Sequence, residues 1–208
     1  MASPRPTSRV LSRGDTAGFV LFLIGGVAIA VAAVVQAITD IARVLPNRDI
    51  TLLAPFAATD AQAPLGPGGS AVTVQLDSAS VTVASLQPAS LAALVISHAV
   101  FAAAMVTVVT LLLVLCFGIL RGRIFSRAHT ALVTAAGLVA IAGMYFVPFF
   151  HNMAVNGALA LVSEGTYDRA VVGTVDVFAI FAVAFVVALA GTVFAVGDRL
   201  QRDTEGLV

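Results

Sequence analysis

Four ionisable side chains fall inside or at the edges of long apolar stretches: Asp40, His98, His151 and Asp176. Ionisable groups are costly in an apolar environment, so such residues need a partner or a role. Two imidazoles and two carboxylates are ligands that zinc accepts, and they also suit a proton-sensitive network. The residue types therefore predict either a metal site or a polar network that joins separate segments.

No short spacing such as His-Glu-x-x-His connects these residues, so the sequence favours the polar network over the metal site. In that network Asp40 pairs with Arg43 on the next helical turn, because residues three apart share a helix face. His98 and Asp176 are expected to share a hydrogen bond between helices, and His151 is expected to be solvated. This interpretation predicts a structural role for the four side chains.

Patterns for other chemistry are missing from the sequence. No glycine-rich phosphate loop follows a predicted strand, and no Ser-His-Asp set has a recognisable context. Cys116 is the only cysteine, which excludes an intramolecular disulfide. The polar residues along the apolar stretches are scattered threonines, so a water-filled pore is not indicated. We expect no enzymatic activity and no cofactor.

The segments that carry the four side chains are long and apolar. Of the 208 residues, 60% are apolar and 11% are charged, which is typical of an integral membrane protein. A bilayer core of about 30 Å needs roughly 20 apolar residues in a helix. Only helices and closed barrels satisfy every backbone group inside lipid. Four transmembrane helices are therefore predicted, over residues 17–45, 91–120, 128–150 and 170–196.

The distribution of arginine predicts the orientation of these helices. Eight of the eleven arginines lie in or beside the segments 1–16, 121–127 and 197–208, and the other three lie at the opposite ends of the spans. The positive-inside rule then places both termini and the turn 121–127 in the cytoplasm of a multi-pass cell-membrane protein. A signal peptide is the alternative for the first run, but the run exceeds the usual signal core. All four ionisable residues named above are expected toward the outer leaflet.

Small residues recur within the spans, including Gly26, Gly118, Gly137 and Gly143. Helices associate in lipid by close packing, which small side chains permit. A compact four-helix bundle is therefore predicted, and a dimer through one small-residue face is an alternative.

Two outer loops connect these spans, over residues 46–90 and 151–169. The first contains a cluster of helix and strand breakers from Pro64 to Gly69. After it, two alternating stretches, 72–76 and 81–83, flank a turn-prone segment at 77–80 and predict a β-hairpin. Residues 50–53 are expected to add a third strand, and the cap is expected to rest its apolar face on the helix ends. The second loop is expected to hold a short helix at 154–162.

Charged residues at the predicted cytoplasmic face form a candidate docking surface. They are Arg121, Arg123, Arg127, Asp198, Arg199, Arg202 and Glu205. Exposed ion pairs contribute little stability, so contact with a partner is an alternative role for them. Ser126 is predicted to cap the third helix.

Two motifs at this face carry a family resemblance. They are Arg-Gly-Arg-Ile-Phe-Ser at 121–126, which opens the third helix, and Gly-Asp-Arg-Leu-Gln-Arg-Asp-Thr-Glu-Gly-Leu-Val at 197–208. The chain resembles the bacterial membrane family called domain of unknown function 2975 over nearly its whole length. The resemblance implies four transmembrane helices and brings no established activity.

The sequence thus predicts an all-α integral membrane protein, a four-helix bundle with a small extracytoplasmic β-hairpin cap. Its expected function is that of a non-enzymatic module that acts through protein contacts in the membrane. Expected partners are the lipid bilayer and a membrane protein, a cytoplasmic protein or a second copy, but not nucleic acid. The alternatives are a small transporter or channel subunit, and a metal- or pH-sensing membrane protein.

Overall fold

The computed structural model describes residues 13–121, 126–165 and 176–205. Four helices dominate it: α1 Arg13–Val44, α2 Pro88–Leu120, α3 Arg127–Val162 and α4 Val177–Glu205. All four are long and apolar enough to cross a membrane. The predicted number of spans is therefore matched by the number of suitable helices.

Helix α3 is longer than the sequence predicts. It contains Pro148 in its interior and continues through His151 to Val162, so the loop predicted to begin at 151 is wrong. The residues 154–162 are helical as predicted, but they are the last part of α3 and not a separate helix. The final turns bury Ala154, Val155 and Ala158 completely, which gives this part of the helix a packed face. Tertiary packing of that face stabilises the helix beyond its proline, whose missing N–H removes one backbone hydrogen bond.

The boundaries of α4 also differ from the prediction. The helix begins at Val177 rather than at residue 170 and continues to Glu205, past the predicted end at 196. Residues 170–175 lie outside the described part of the chain. The predicted cytoplasmic tail is therefore helical over most of its length, as a continuation of the span.

Between α1 and α2 the chain forms a β-hairpin of two antiparallel strands, β1 Ile50–Ala63 and β2 Val72–Val83. The predicted turn at 77–80 is wrong, because these residues lie inside β2, where Ser80 pairs with Leu53. The breaker segment makes the turn instead, with Gly68 and Gly69 at φ values of 66° and 81°. Glycine adopts positive φ without steric cost, which favours the turn there. The predicted third strand is the beginning of β1.

The register of the hairpin shifts once, between the pairs Pro55 with Ser78 and Thr59 with Leu76. Strand β1 advances four residues while β2 advances two, so β1 carries two additional residues. Because side chains alternate with a period of two, this irregularity leaves the same set on each face. The buried face at the base of the hairpin therefore continues as one face of the two strands on the other side of the irregularity.

The four helices form a row in which α1 packs on α2, α2 on α3, and α3 on α4. In the described part of the chain no other pair of helices packs along its length, so the predicted compact bundle is wrong. Glycines lie at the contacts: Gly26 faces Leu113, Gly143 faces Ala104, and Gly137 is tight against Val187. Apolar side chains of α1 and α4, such as Leu21 and Phe178, therefore remain exposed in the row.

Successive helices run in opposite directions, which gives the row two distinct ends. The hairpin end carries the end of α1, the start of α2, the end of α3 and both strands. The turn end carries Arg121, Ser126 and the end of α4, since Phe194 contacts His129 there. The start of α1 is also at the turn end, because Phe19 and Ile119 line one cavity.

The main buried core of the described residues lies at the hairpin end. It joins the base of the hairpin to the start of α2 and the end of α3. Leu94 of α2 and Val155 of α3 are its largest fully buried side chains. An apolar face of the hairpin rests on the helix ends, as predicted, and it includes Val81 and Val83 of the alternating stretches. Val72, Val74 and Leu76 lie on the opposite face of β2, so that part of the prediction is wrong. The members of the core are Ile50, Leu52, Ala54, Val83, Leu86, Ala93, Leu94, Ala154, Val155, Ala158 and Leu159.

Candidate functional site

Three of the four predicted ionisable residues meet at the hairpin end, and we call them the Asp40 cluster: Asp40, His98 and His151. Asp40 lies one turn before the end of α1. His98 Nδ1 of α2 is 3.9 Å from Asp40 Oδ2. The imidazole of His98 is also close enough to His151 of α3 to interact with it electrostatically. The cluster therefore connects three consecutive helices of the row.

The Asp40 carboxylate is held mainly by its own helix. Gln36 Nε2 donates a hydrogen bond of 2.8 Å to Oδ2, and Arg43 Nη1 lies 3.2 Å from Oδ1. The structure therefore has the pairing of Asp40 with Arg43 that the sequence predicts. The Asp40 side chain is 18% exposed and that of Arg43 is 72% exposed, so this ion pair faces solvent on one side only. Such a pair contributes little stability by itself.

His98 approaches Asp40 without a hydrogen bond, since 3.9 Å exceeds hydrogen-bond distance. A protonated His98 would carry a charge opposite to that of Asp40 and attract it across the α1–α2 contact. A neutral His98 has no such attraction. The pair can therefore respond to a change in protonation by changing the attraction between two helices.

His151 is bonded to the hairpin rather than simply solvated, so that part of the prediction is wrong. Its Nε2 lies 3.2 Å from the main-chain oxygen of Leu53 in β1. A carbonyl oxygen only accepts, so Nε2 carries the proton in this bond. His151 thus joins the cluster to the first strand, a contact that requires α3 to continue past Phe150.

Asp176 does not belong to the cluster. Its Oδ1 accepts a hydrogen bond of 2.9 Å from the Ala179 main-chain nitrogen, and its main-chain oxygen accepts one from Ile180. These bonds make it the N-cap of α4, and the predicted bond to His98 is not among the described contacts. An acidic residue immediately before an apolar helix is a capping signal that the sequence already contains.

The metal hypothesis gains no support from this geometry. Across residues 13–121, 126–165 and 176–205, no three or more His, Cys, Asp or Glu side chains are grouped so as to hold a metal ion. Asp176 accepts a hydrogen bond from its own helix, and His151 is hydrogen-bonded to the main-chain oxygen of Leu53. The polar-network interpretation fits better, with Asp40, His98 and His151 as its members.

A second polar contact closes the hairpin end, and the sequence analysis missed it. Asn47 Oδ1 accepts a hydrogen bond of 2.8 Å from the Leu86 main-chain nitrogen, and Asn47 Nδ2 donates one of 3.0 Å to the Leu86 oxygen. Asn47 has a φ of 52°, a conformation that asparagine tolerates better than most residues. The signal was Pro-Asn directly after an apolar run, which is typical of a turn.

At the turn end, Ser126 caps α3 as predicted, and its hydroxyl accepts a bond of 3.2 Å from the His129 main-chain nitrogen. His129 itself, which the sequence analysis passed over, is only 5% exposed. Its ring lies against Gly118 of α2, where any Cβ would overlap it. Contact with Gly118 and Phe194 therefore fixes the imidazole between α2 and α4.

The structure describes the predicted docking residues to different extents. Arg121, Arg127, Asp198 and Arg199 are described and lie at the turn end. Arg123 lies outside the described residues. For Arg202 and Glu205 the structure describes the helical backbone of α4 but no side chain. The docking role of this surface stays a prediction.

No protein-family model, no curated protein and no solved structure matches this chain. The resemblance to domain of unknown function 2975 therefore stays a prediction.

Proposed function

We propose that this protein spans a cell membrane four times, with both termini cytoplasmic, and is a non-enzymatic module whose outer hairpin contacts other proteins. The length and apolar character of the four helices support the membrane location. The excess of arginine near the turn end supports the orientation. The Asp40 cluster supports a structural role for its residues, since its bonds connect helices and hairpin.

The observation that carries the proposal is the contrast between the two halves of the hairpin. At its base Ile50, Leu52 and Ala54 are buried, and His151 and Asn47 fix the connections to the helices. No residue from Thr59 to Leu76, which we call the hairpin arm, is buried. The base holds the arm in place, and the arm presents its surface without packing into the core.

The hairpin arm is chemically suited to binding a protein strand. A two-stranded sheet leaves one edge of each strand with unpaired N–H and C=O groups, and an extended segment of a partner adds to such an edge by main-chain hydrogen bonds. Natural edges are commonly blocked by charged residues, particularly lysine. The arm contains Asp60 as its single charged residue, so this protection is weak.

The decisive variant removes the arm and keeps the base. Replacing residues 56–77 by Asn-Gly joins Pro55 to Ser78, which already face each other, through a two-residue turn. We expect the full chain to elute from mild detergent as a homo-oligomer or a stoichiometric complex, and the shortened chain to elute as a monomer. The matched control is Leu138→Ser on an exposed position of α3, which should leave the assembly unchanged. A full chain that is monomeric and without a partner would contradict the proposal.

The Asp40 cluster favours a second candidate function, a response of the hairpin end to pH. Imidazole is the side chain that ordinarily changes charge between about pH 5 and 8. Protonation of His98 would strengthen its attraction to Asp40, where it would compete with Arg43. We expect acid to strengthen the contact between α1 and α2, across which His98 faces Asp40.

Hydrogen exchange tests this second candidate. Protection factors of the amides around Asp40 and His98, corrected for intrinsic exchange, should rise between pH 8 and pH 5. The variant His98→Gln keeps an N–H donor at this position without an imidazole, so its protection should depend less on pH. Equal pH dependence in both proteins would exclude His98 as the sensor.

A further inference from the structure

A cavity of about 720 Å³ opens at the turn end between α2 and α3. Its polar lining consists of Arg121, Ser126 and His129, and its apolar lining includes Val114, Phe117 and Leu132. The cavity is far from the Asp40 cluster, at the opposite end of the row. None of its lining residues belongs to the Asp40 cluster or to the hairpin.

Polar and apolar residues are separated by depth in this cavity. Along α2, Val114 lies two turns, or about 10 Å, from Arg121 toward the middle of the helix. Along α3, Ser126 is at the helix start, and Leu132 lies almost two turns further in. The mouth therefore carries Arg121 and Ser126, buried His129 lies one turn further in, and the rest of the lining is apolar. This order matches a molecule with a polar head and a hydrocarbon chain.

The electrostatics of the mouth favour a negative head. Arg121 is exposed, and the start of α3 contributes the partial positive charge of a helix N-terminus. No acidic side chain is among the described residues that line the cavity. The nearest described carboxylate along α4 is Asp198, one turn after Phe194, whose ring contacts His129.

The other cavities described between these helices have no charged residue in their lining. One between α1 and α2 is lined by Phe19, Phe22 and neighbouring apolar residues, and one between α2 and α3 by Phe101, Met105 and others. Either would accept any hydrocarbon chain. Among the described cavities, the one at the turn end combines a hydrocarbon-sized interior with an arginine at its mouth.

We propose that this cavity binds an anionic phospholipid from the leaflet at the turn end. Its phosphate accepts hydrogen bonds from Arg121 beside the start of α3, and an acyl chain lies along Val114, Phe117 and Leu132. Basic pockets between membrane helices on the cytoplasmic side commonly hold such headgroups. The site requires that the chain spans the membrane, and it is independent of the contacts proposed for the hairpin arm.

Thermal unfolding of the full chain in detergent tests the site. Short-chain phosphatidylglycerol should raise the Tm, whereas the zwitterionic phosphatidylcholine of equal chain length should not. Arg121→Gln should weaken phosphatidylglycerol binding about tenfold, because it removes a charge-assisted hydrogen bond. Arg43→Gln, which changes an exposed arginine at the hairpin end, should leave the binding unchanged.

A second variant tests the volume of the cavity without changing the charge at its mouth. Ala128 is exposed and lines the cavity, so Ala128→Trp should fill it without removing a cation and should also abolish the rise in Tm. Arg121→Lys should retain part of the response. Equal effects of the two lipids, an equal effect of glycerol phosphate alone, or undiminished binding by Ala128→Trp would each overturn the proposal.

Discussion

The hairpin end and the middle of the helix row are built by different physical means. At the hairpin end Ala54, Ala154, Val155 and Ala158 are fully buried, as in the core of a water-soluble domain. Along the described span of α4, from Val177 to Leu200, no residue is buried. Phe178 is 88% exposed although it begins one of the most apolar segments of the chain. Apolar side chains are therefore buried at the hairpin end and exposed along α4.

The proposed membrane location explains this difference, because it gives the two regions different solvents. Helix α3, with 36 residues, is about 54 Å long, well beyond a hydrocarbon core of about 30 Å. Its extension past His151 needs cover from water, and the base of the hairpin supplies it. Within the bilayer, lipid covers apolar faces, so helices need only close contact along narrow strips. Core packing should therefore dominate stability at one end, and glycine contacts should dominate along the row.

The largest effect should come from enlarging Gly157. A Cβ at this position would overlap the hydroxyl of buried Ser90, so Gly157→Leu forces α3 away from the start of α2. We expect a loss of about 3 kcal/mol or more in the free energy of unfolding, measured in detergent. The matched control is Gly25→Leu in α1, where no atom lies within 4 Å of a Cβ. Similar losses in both variants would erase the distinction between the two regions.

Removing core volume should have the next largest effect. Leu94 is 1% exposed in the hairpin-end core, and Leu94→Ala should cost about 2–4 kcal/mol through lost burial and the cavity left behind. Leu138→Ala changes the same residue type in α3 at a position that is 62% exposed, and its cost in micelles should be under about 1 kcal/mol. Denaturant titrations of the two variants, followed by circular dichroism, give the comparison.

Breaking the clamp between Asn47 and Leu86 should have an intermediate effect. Asn47→Ala loses two hydrogen bonds and places alanine at a φ of 52°, for an expected cost of about 2 kcal/mol. Asn47→Gly loses the bonds but relieves the backbone conformation, so it should be less destabilising. If Asn47→Ala and Asn47→Gly unfold at the same Tm, the backbone conformation contributes nothing.

The smallest effect should come from the cap of α3 at the turn end. Ser126→Ala removes the hydroxyl that accepts from His129 and should cost about 1 kcal/mol. Ser126→Asp keeps an acceptor and should retain most of the stability. Thermal unfolding in the same detergent measures both, and a cost for Ser126→Ala that exceeds that of Leu94→Ala would reverse the ranking of the two regions.

The sequence predicted features that depend on local composition. Apolar runs identified four long helices, Ser126 identified its own cap, and alternating residues identified β structure between the first two helices but not its turn. The pair Asp40 and Arg43 followed from helical spacing alone. Each of these features involves residues near one another along the chain, so the sequence pattern already contains the residues that interact.

Non-local contacts account for the wrong predictions. The turn assigned to 77–80 became strand because residues 53–55 pair with it, a contact spanning more than twenty residues. The end assigned to α3 at Phe150 moved because the hairpin covers Val155 and Ala158. His129 had no signal of its own, since the glycine that accommodates its ring lies on another helix.

By itself the sequence determined the four apolar helices, the arginine-rich end and the breaker cluster from Pro64 to Gly69, because each depends on side chains read in order along the chain. It did not assign the hairpin turn to that cluster. The tertiary structure alone decided that the helices form a row, that His98 meets Asp40 while Asp176 caps α4, and that His151 bonds to the hairpin. Those outcomes depend on which surfaces pack together, and in lipid that choice rests on close fit rather than on apolar burial.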